Sequence, residues 1–128
     1  MSPEVTVADK LELMYQHQQE FIGLLQKMRG HAPVPFDLSD KRSQQQLRNL
    51  AYECMGELFE ANILLKNSKS HRATNIAEFD RDAYLEELTD VLHYFLGIVI
   101  CSGISVDELF QKFMEKGETN FSRIRSGY

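Results

Sequence analysis

Five carboxylates at helical spacing are the first residues to suggest chemistry. Glu53, Glu57 and Glu60 are separated by four and three positions, so on a helix they fall within an arc of about 60°. Glu87 and Asp90, three apart, repeat the theme, with Glu86 a turn before Asp90. Like charges so placed repel by a few tenths of a kcal/mol per exposed pair, and by more when partly buried, unless a cation or a basic partner relieves them. Two facing helices that each offer a pair of carboxylates form an all-oxygen site suited to Mg²⁺, which keeps water in its shell and is completed by substrate phosphates. The same spacing also fits an ordinary solvated face. Against that, Glu87 and Asp90 interrupt an otherwise oily segment, where a charge needs a partner.

A second constellation lies near the end of the chain. Lys112, Lys116, Arg123 and Arg125 fall within 14 positions, with Asn120 between them and Gly127-Tyr128 after them. Cations for phosphate oxygens, an amide and an aromatic ring together supply what a nucleotide needs. Dipole-complementing cations on a frayed terminus have the same composition. His93 follows Asp90 by three and is within reach of the site, although a lone histidine in an apolar helix equally fits a hydrogen-bonded core position. His17, His31 and His71 have no metal-ligand spacing. Cys54 and Cys101 sit inside apolar helical patterns and read as reduced, buried thiols of a cytoplasmic protein. No Gly-rich phosphate loop, nucleophile elbow or zinc pattern occurs.

The elements that must position these groups are helices. The chain of 128 residues is 43% hydrophobic and 26% charged, enough for one domain over residues 1–128 with its own core and no need of disulfides or a structural metal. Its net charge, 14 − 19 = −5, and a pI near 5.3 argue against a binder of polymeric nucleic acid or of anionic membranes. The longest apolar run, Phe95 to Cys101, is far below the roughly 18 residues that span a bilayer, and Met1 to Lys10 has no secretory pattern.

Prolines occur only at Pro3, Pro33 and Pro35, and no interior stretch alternates as a strand would. A first helix is expected from Thr6 to Asp9, with Thr6 as cap, to about Met28. A second is expected over Asp40 to Asn67, its apolar stripe including Leu47, Leu50, Cys54, Leu58, Ala61 and Leu65. The polar connection Asn67 to Asp80 is long enough to close over a ligand. A third helix, Arg81 to Ser102, is apolar on most sides and is expected at the centre of a bundle or against a second subunit. Gly103 stops it, and Ser105 with Glu108 forms a capping box that opens a fourth helix to about Thr119 or a little beyond.

The residues now carry a resemblance. Glu87-Leu-Thr-Asp90-Val-Leu-His93, then Gly103-Ile-Ser-Val-Asp-Glu-Leu-Phe110, then Lys116-Gly-Glu-Thr-Asn120-Phe-Ser-Arg123-Ile-Arg-Ser-Gly127-Tyr128 resemble the second half of the all-α nucleoside triphosphate pyrophosphatases. Within them the chain is most similar to the dimeric dUTPase and phage dCTP/dUTP pyrophosphatase branch, relatives of the MazG proteins. The resemblance is specific over Leu85 to Tyr128 and looser over Leu47 to Leu65. It implies an all-α four-helix bundle assembled as a homodimer or a dimer of dimers, and Mg²⁺-dependent hydrolysis of a pyrimidine deoxynucleoside triphosphate, dUTP or dCTP, to the monophosphate and pyrophosphate. Glu87 and Asp90 are then metal ligands, and Lys116, Asn120, Arg123 and Tyr128 face phosphates and nucleoside, with Lys116 and Arg123 stabilising charge on the phosphates.

On the second helix two alignments stay open. Matching Gly56-Glu57-Leu58 to the family's Gly-Glu-Leu puts Cys54 in the first ligand place, with Glu53 beside it; taking Glu-x-x-Glu literally gives Glu57 and Glu60. Glu57 is a ligand under both, and a carboxylate left unsaturated by metal, of Glu57 or Glu60, takes the proton of the attacking water. For the base, Gln19 falls where the dUTPase branch has a glutamine, and Ile22 where it has an asparagine, so a permissive pyrimidine pocket is expected. A non-catalytic nucleotide sensor or a dimeric helical scaffold is the alternative.

Overall fold

The structure, a computed structural model, describes residues 7–127. Among these it contains four helices and no strand: α1 (Val7–Arg29), α2 (Lys41–Ile63), α3 (Arg81–Cys101) and α4 (Val106–Arg125). Local chemistry sets most boundaries. The Asp40 and Asp80 carboxylates each accept a backbone N–H of the first turn that follows, from Ser43 and Ala83, at 3.0 Å. The Ser105 hydroxyl accepts the Glu108 N–H at 3.1 Å and the Glu108 carboxylate accepts the Ser105 N–H at 2.9 Å. Caps of this kind contribute about 1 kcal/mol each. The cap expected at Thr6 lies outside the described residues. Gly103, with φ 74, turns the chain after α3, and a Cβ there would sit 3.0 Å from Pro35 Cβ, so both the backbone angle and the close approach require glycine.

Two helix ends differ from expectation. α2 stops at Ile63, not near Asn67. The Leu64 and Leu65 N–H groups bond the Ala61 and Asn62 carbonyls at 3.1 and 3.0 Å, tightening the last turn. The Asn67 side chain instead clasps Ile76, donating to its carbonyl at 2.8 Å and accepting its N–H at 2.9 Å. α4 continues to Arg125, well past Thr119. The lone Gly117 costs about 1 kcal/mol relative to alanine, which is too little to stop a helix, and Phe121 and Ile124 keep the apolar stripe in phase until Gly127 (φ 81) ends it.

α3 is central, meeting α2 along one side and α1 along another. Its C-terminal half supplies Leu96, Gly97, Val99, Ile100 and Cys101, all buried. Tyr15 and Ile22 of α1 join this core, and Phe36, Leu47 and Leu109 pack against it. The Tyr15 hydroxyl donates to the Ile104 carbonyl at 2.7 Å and the Phe36 N–H to the Cys101 carbonyl at 2.8 Å, tying α1 and the preceding loop to the end of α3.

The expected stripes are covered only in part. Leu58, Leu65, Leu85 and Phe95 remain exposed. The chain bends by 111° between α3 and α4, and among the helices α4 meets only α1. Phe110, Phe113, Met114, Phe121 and Ile124 consequently face outward. The accessible surface is 10586 Å², against about 7,000 Å² for a compact folded chain of this mass. No single helix is long and apolar enough to cross a membrane.

Candidate functional site

The antiparallel pair α2 and α3 brings together residues 30 positions apart in sequence. Ligand oxygens of Glu57, Glu87 and Asp90 lie within 4.8 Å of one another, a spread comparable to the separations of up to about 4.2 Å between oxygens around one ion with bonds of about 2.1 Å. Glu57 and Glu87 are half-buried and Asp90 is exposed. The helical pattern forces this: Glu57 borders the stripe that packs on α3, and Glu87 is part of the face that receives it.

The electrostatics are those of a site lacking its counter-charge. Burial first, and then the carboxylates of Glu60, Asp90 and Glu87, push the Glu57 carboxyl above its ordinary value. Glu87 is raised by burial and by Glu60 and Asp90. Every charged group acting on Glu57 is another carboxylate. Glu87 Oε2 is closed off from solvent and has no hydrogen-bond partner. A buried acceptor left unsatisfied costs free energy that a cation removes. That orphaned oxygen, in a donor set made only of hard carboxylate oxygens, fits Mg²⁺.

The two alignments on α2 separate in space. Glu60 lies beside the triad, its charge acting on both Glu57 and Glu87. Glu53 is a turn away, beside Tyr94, whose phenol is pushed up by burial and then by Glu53, Glu57 and Asp90. The Cys54 thiol donates to the Val91 carbonyl at 3.5 Å, holding α2 on α3 rather than facing the carboxylates; burial and the Glu57 charge push it up.

A cavity of about 1020 Å³ opens from Glu57 and Asp90 and passes Glu53, His93 and Tyr94. It continues between α1 and α2 to Arg42 and His31. This is the upper end of the size range of small-molecule sites. Along α2 the lining residues Arg42, Gln46, Asn49, Glu53 and Glu57 recur every three or four positions on one face. From α1 the lining comes from Gln18, Phe21, Ile22 and Leu25. Gln19 is exposed and turned away; Gln18, rotated from it by about 100°, is the buried amide that reaches the cavity.

The cations of the chain end are not brought to the carboxylates within one chain. Lys116, Asn120 and Arg123 are exposed along α4, and no residue of α4 lines the cavity. Tyr128 lies outside the described residues. Sequence reasoning left Gln18, Asn49 and Tyr94 unassigned. Tyr94 had a signal, its place one turn after Asp90; Asn49 had its place two turns before Glu57.

Among known proteins, residues 36–128 match the family model described as dUTPase, a match that takes in α2, α3, α4 and every carboxylate of the cluster. No curated protein and no solved structure matches the chain. With more than two thirds of its length in the match, the chain belongs to this all-helical dUTPase family.

Proposed function

We propose that the protein is a Mg²⁺-dependent pyrophosphatase of pyrimidine deoxynucleoside triphosphates, releasing pyrophosphate and the monophosphate from dUTP and dCTP. The family supports a dUTPase-like hydrolase. The observation that carries the metal is the carboxylate triad with its unpartnered Glu87 oxygen.

In this reading Glu57, Glu87 and Asp90 hold the ion, with Glu60 next to them. When bound, the ion neutralises phosphate charge and makes water a better nucleophile. Glu60, whose charge acts on two of the ligands, accepts the proton of the attacking water. Glu53, beside Tyr94, faces the cavity one turn away, toward the sugar. The pocket beyond takes the base, against the apolar side chains of Phe21, Ile22 and Leu25.

The cations come from a second copy of the chain. Lys116, Asn120, Arg123 and Tyr128 belong to a segment whose apolar stripe is open, and each large side chain of that stripe contributes about 1.5–3 kcal/mol when buried. Packing α4 on another protomer covers the stripe and supplies Lys116 and Arg123 to phosphates held by the carboxylates, the electrostatic stabilisation on which phosphoryl transfer depends. A homodimer or dimer of dimers is thus part of the proposal. So is a cytoplasmic setting, in keeping with two free thiols.

The test is a panel of ribo- and deoxynucleoside triphosphates scored by pyrophosphate release, with Mg²⁺ and with chelator. Release from dUTP and dCTP that requires Mg²⁺ is the expected result. Binding without turnover identifies a sensor, and absence of both identifies a scaffold.

A further inference from the structure

α2 and α3 are paired at known levels. Cys54 bonds Val91, Glu53 and Tyr94 line the same cavity, and Glu57 meets Glu87 and Asp90. One more turn along this ladder the cavity is lined by Asn49 on α2 and Gly97 on α3. α1 arrives at the same level, because Gln18 Nε2 lies 3.8 Å from where a Cβ on Gly97 would be. Among the described residues neither the Asn49 nor the Gln18 amide is hydrogen-bonded to protein. Two amides without a protein hydrogen bond thus line the cavity at the level of the one residue of α3 there that has no side chain. Asn49 stands about 12 Å from Glu57 along the helix axis, the span that a sugar and a base fill beyond a phosphate held at the carboxylates.

Resting on the pyrophosphatase reading above, we propose that Asn49 reads the hydrogen-bonding edge of a pyrimidine base that lies against the bare Gly97 wall, with Gln18 as the second amide. A carboxamide offers a donor and an acceptor side by side. In one orientation it meets the uracil N3–H and O4; turned over, it meets the cytosine N3 and N4 amino group. The site is therefore built for the pyrimidine ring and not for one of its two forms. Ile22, buried in the same wall, adds contact area but no directional preference.

The experiment is steady-state kinetics on dUTP and dCTP, with a melting temperature for each protein, comparing the wild type with Asn49→Asp, Asn49→Leu and Gly97→Ala. Asn49→Asp leaves only acceptors, so for each base one bond is kept and the other sets acceptor against acceptor: the cytosine amino group is met but N3 is opposed, and the uracil N3–H is met but O4 is opposed. The value of kcat/KM should fall at least about tenfold for both nucleotides. Asn49→Leu should raise KM for both nucleotides. Gly97→Ala adds a methyl at ordinary contact distance from Gln18 and improves helix propensity. It should keep or raise the melting temperature while raising KM at least about tenfold, since the methyl occupies the base platform.

Wild-type kcat/KM for both nucleotides in Asn49→Asp overturns the assignment, as does wild-type KM in Gly97→Ala or wild-type activity confined to purine nucleotides. Should the Asn49 variants fold poorly, Gly97→Ala decides alone. A wild type that releases no pyrophosphate from either nucleotide removes the proposed function and this inference together. An active wild type whose kinetics all three substitutions leave unmoved removes only this one.

Discussion

α2 and α4 have similar lengths, 23 and 20 residues, and each carries an apolar stripe beside charged groups. α2 closes much of its stripe on α3 of the same chain, and that closure draws Glu57 against Glu87 and Asp90. α4 leaves Phe113, Phe121 and Ile124 open and keeps Lys116 away from the carboxylates. A helix pair within one chain is enough to assemble a cluster of like charge, while the opposite charge sits on the element with the least contact to its own chain. In the proposed reading the negative half and the positive half are joined by assembly.

The largest effect is expected at the cluster. Asp90→Asn should lower pyrophosphate release at least about a hundredfold with the helical circular dichroism unchanged, because a neutral amide is a poor replacement for a charged hard-oxygen ligand. Near-normal turnover would take Asp90 out of the site. Lys116→Ala should also be nearly inactive. Mixing it with Asp90→Asn under conditions that exchange protomers should restore up to about a quarter of the wild-type activity, since about half of the dimers are then mixed and each mixed pair holds one intact set of carboxylates and cations. No recovery on mixing would place Lys116 and Asp90 in the same protomer's site and end the comparison as drawn.

Smaller effects concern stability. Mg²⁺ should raise the melting temperature of the wild type and much less that of Glu57→Gln; equal shifts would put the ion elsewhere. The two regions should also respond to pH in opposite directions. Glu57 and Glu87 are raised in the folded protein, so the fold binds their protons more tightly than the unfolded chain does. Their contribution is complete below the ordinary carboxylate value of 4.5 and is lost as pH rises through the folded values. Glu108, lowered by its hydrogen bonds to Ser105, contributes above 4.5 and loses that contribution as pH falls through its folded value. Metal-free protein should therefore melt lower at neutral pH than near pH 5 as far as Glu57 and Glu87 decide it, and Mg²⁺ should flatten that slope; Glu108→Gln, which takes away the carboxylate that accepts the Ser105 N–H, should remove the Glu108 part.

What was legible in the sequence follows from how local each feature is. Asp40, Asp80, Ser105 and Gly103 mark helix ends by hydrogen bonds to neighbours a few residues away, so they could be read directly. The end of α2 could not, because Leu64 and Leu65 keep the helical phase and only the remote Ile76 engages Asn67. The length of α4 was hidden by the polar composition after Lys116, although Phe121 and Ile124 continued the stripe. In the site, the carboxylates were visible because their spacing is intrahelical. The level at which α2 meets α3 is a property of packing, and it decides that Glu53 goes to Tyr94 while Glu60 stays with the triad. A one-residue difference on α1 separates Gln18 from Gln19, and only the packed helix settles which of them turns inward.

The Asn67 clasp has a use of its own. By bonding both backbone groups of Ile76, it pins the two ends of the exposed segment between them, so the intervening residues form a side loop whose contour length is insulated from the helices. Doubling the length of such a loop costs only about 0.6 kcal/mol of closure entropy. A fluorescent tag or a short affinity peptide inserted at Ser70-His71 would ride on this loop, giving a handle for following protomer exchange in solution without touching a helix.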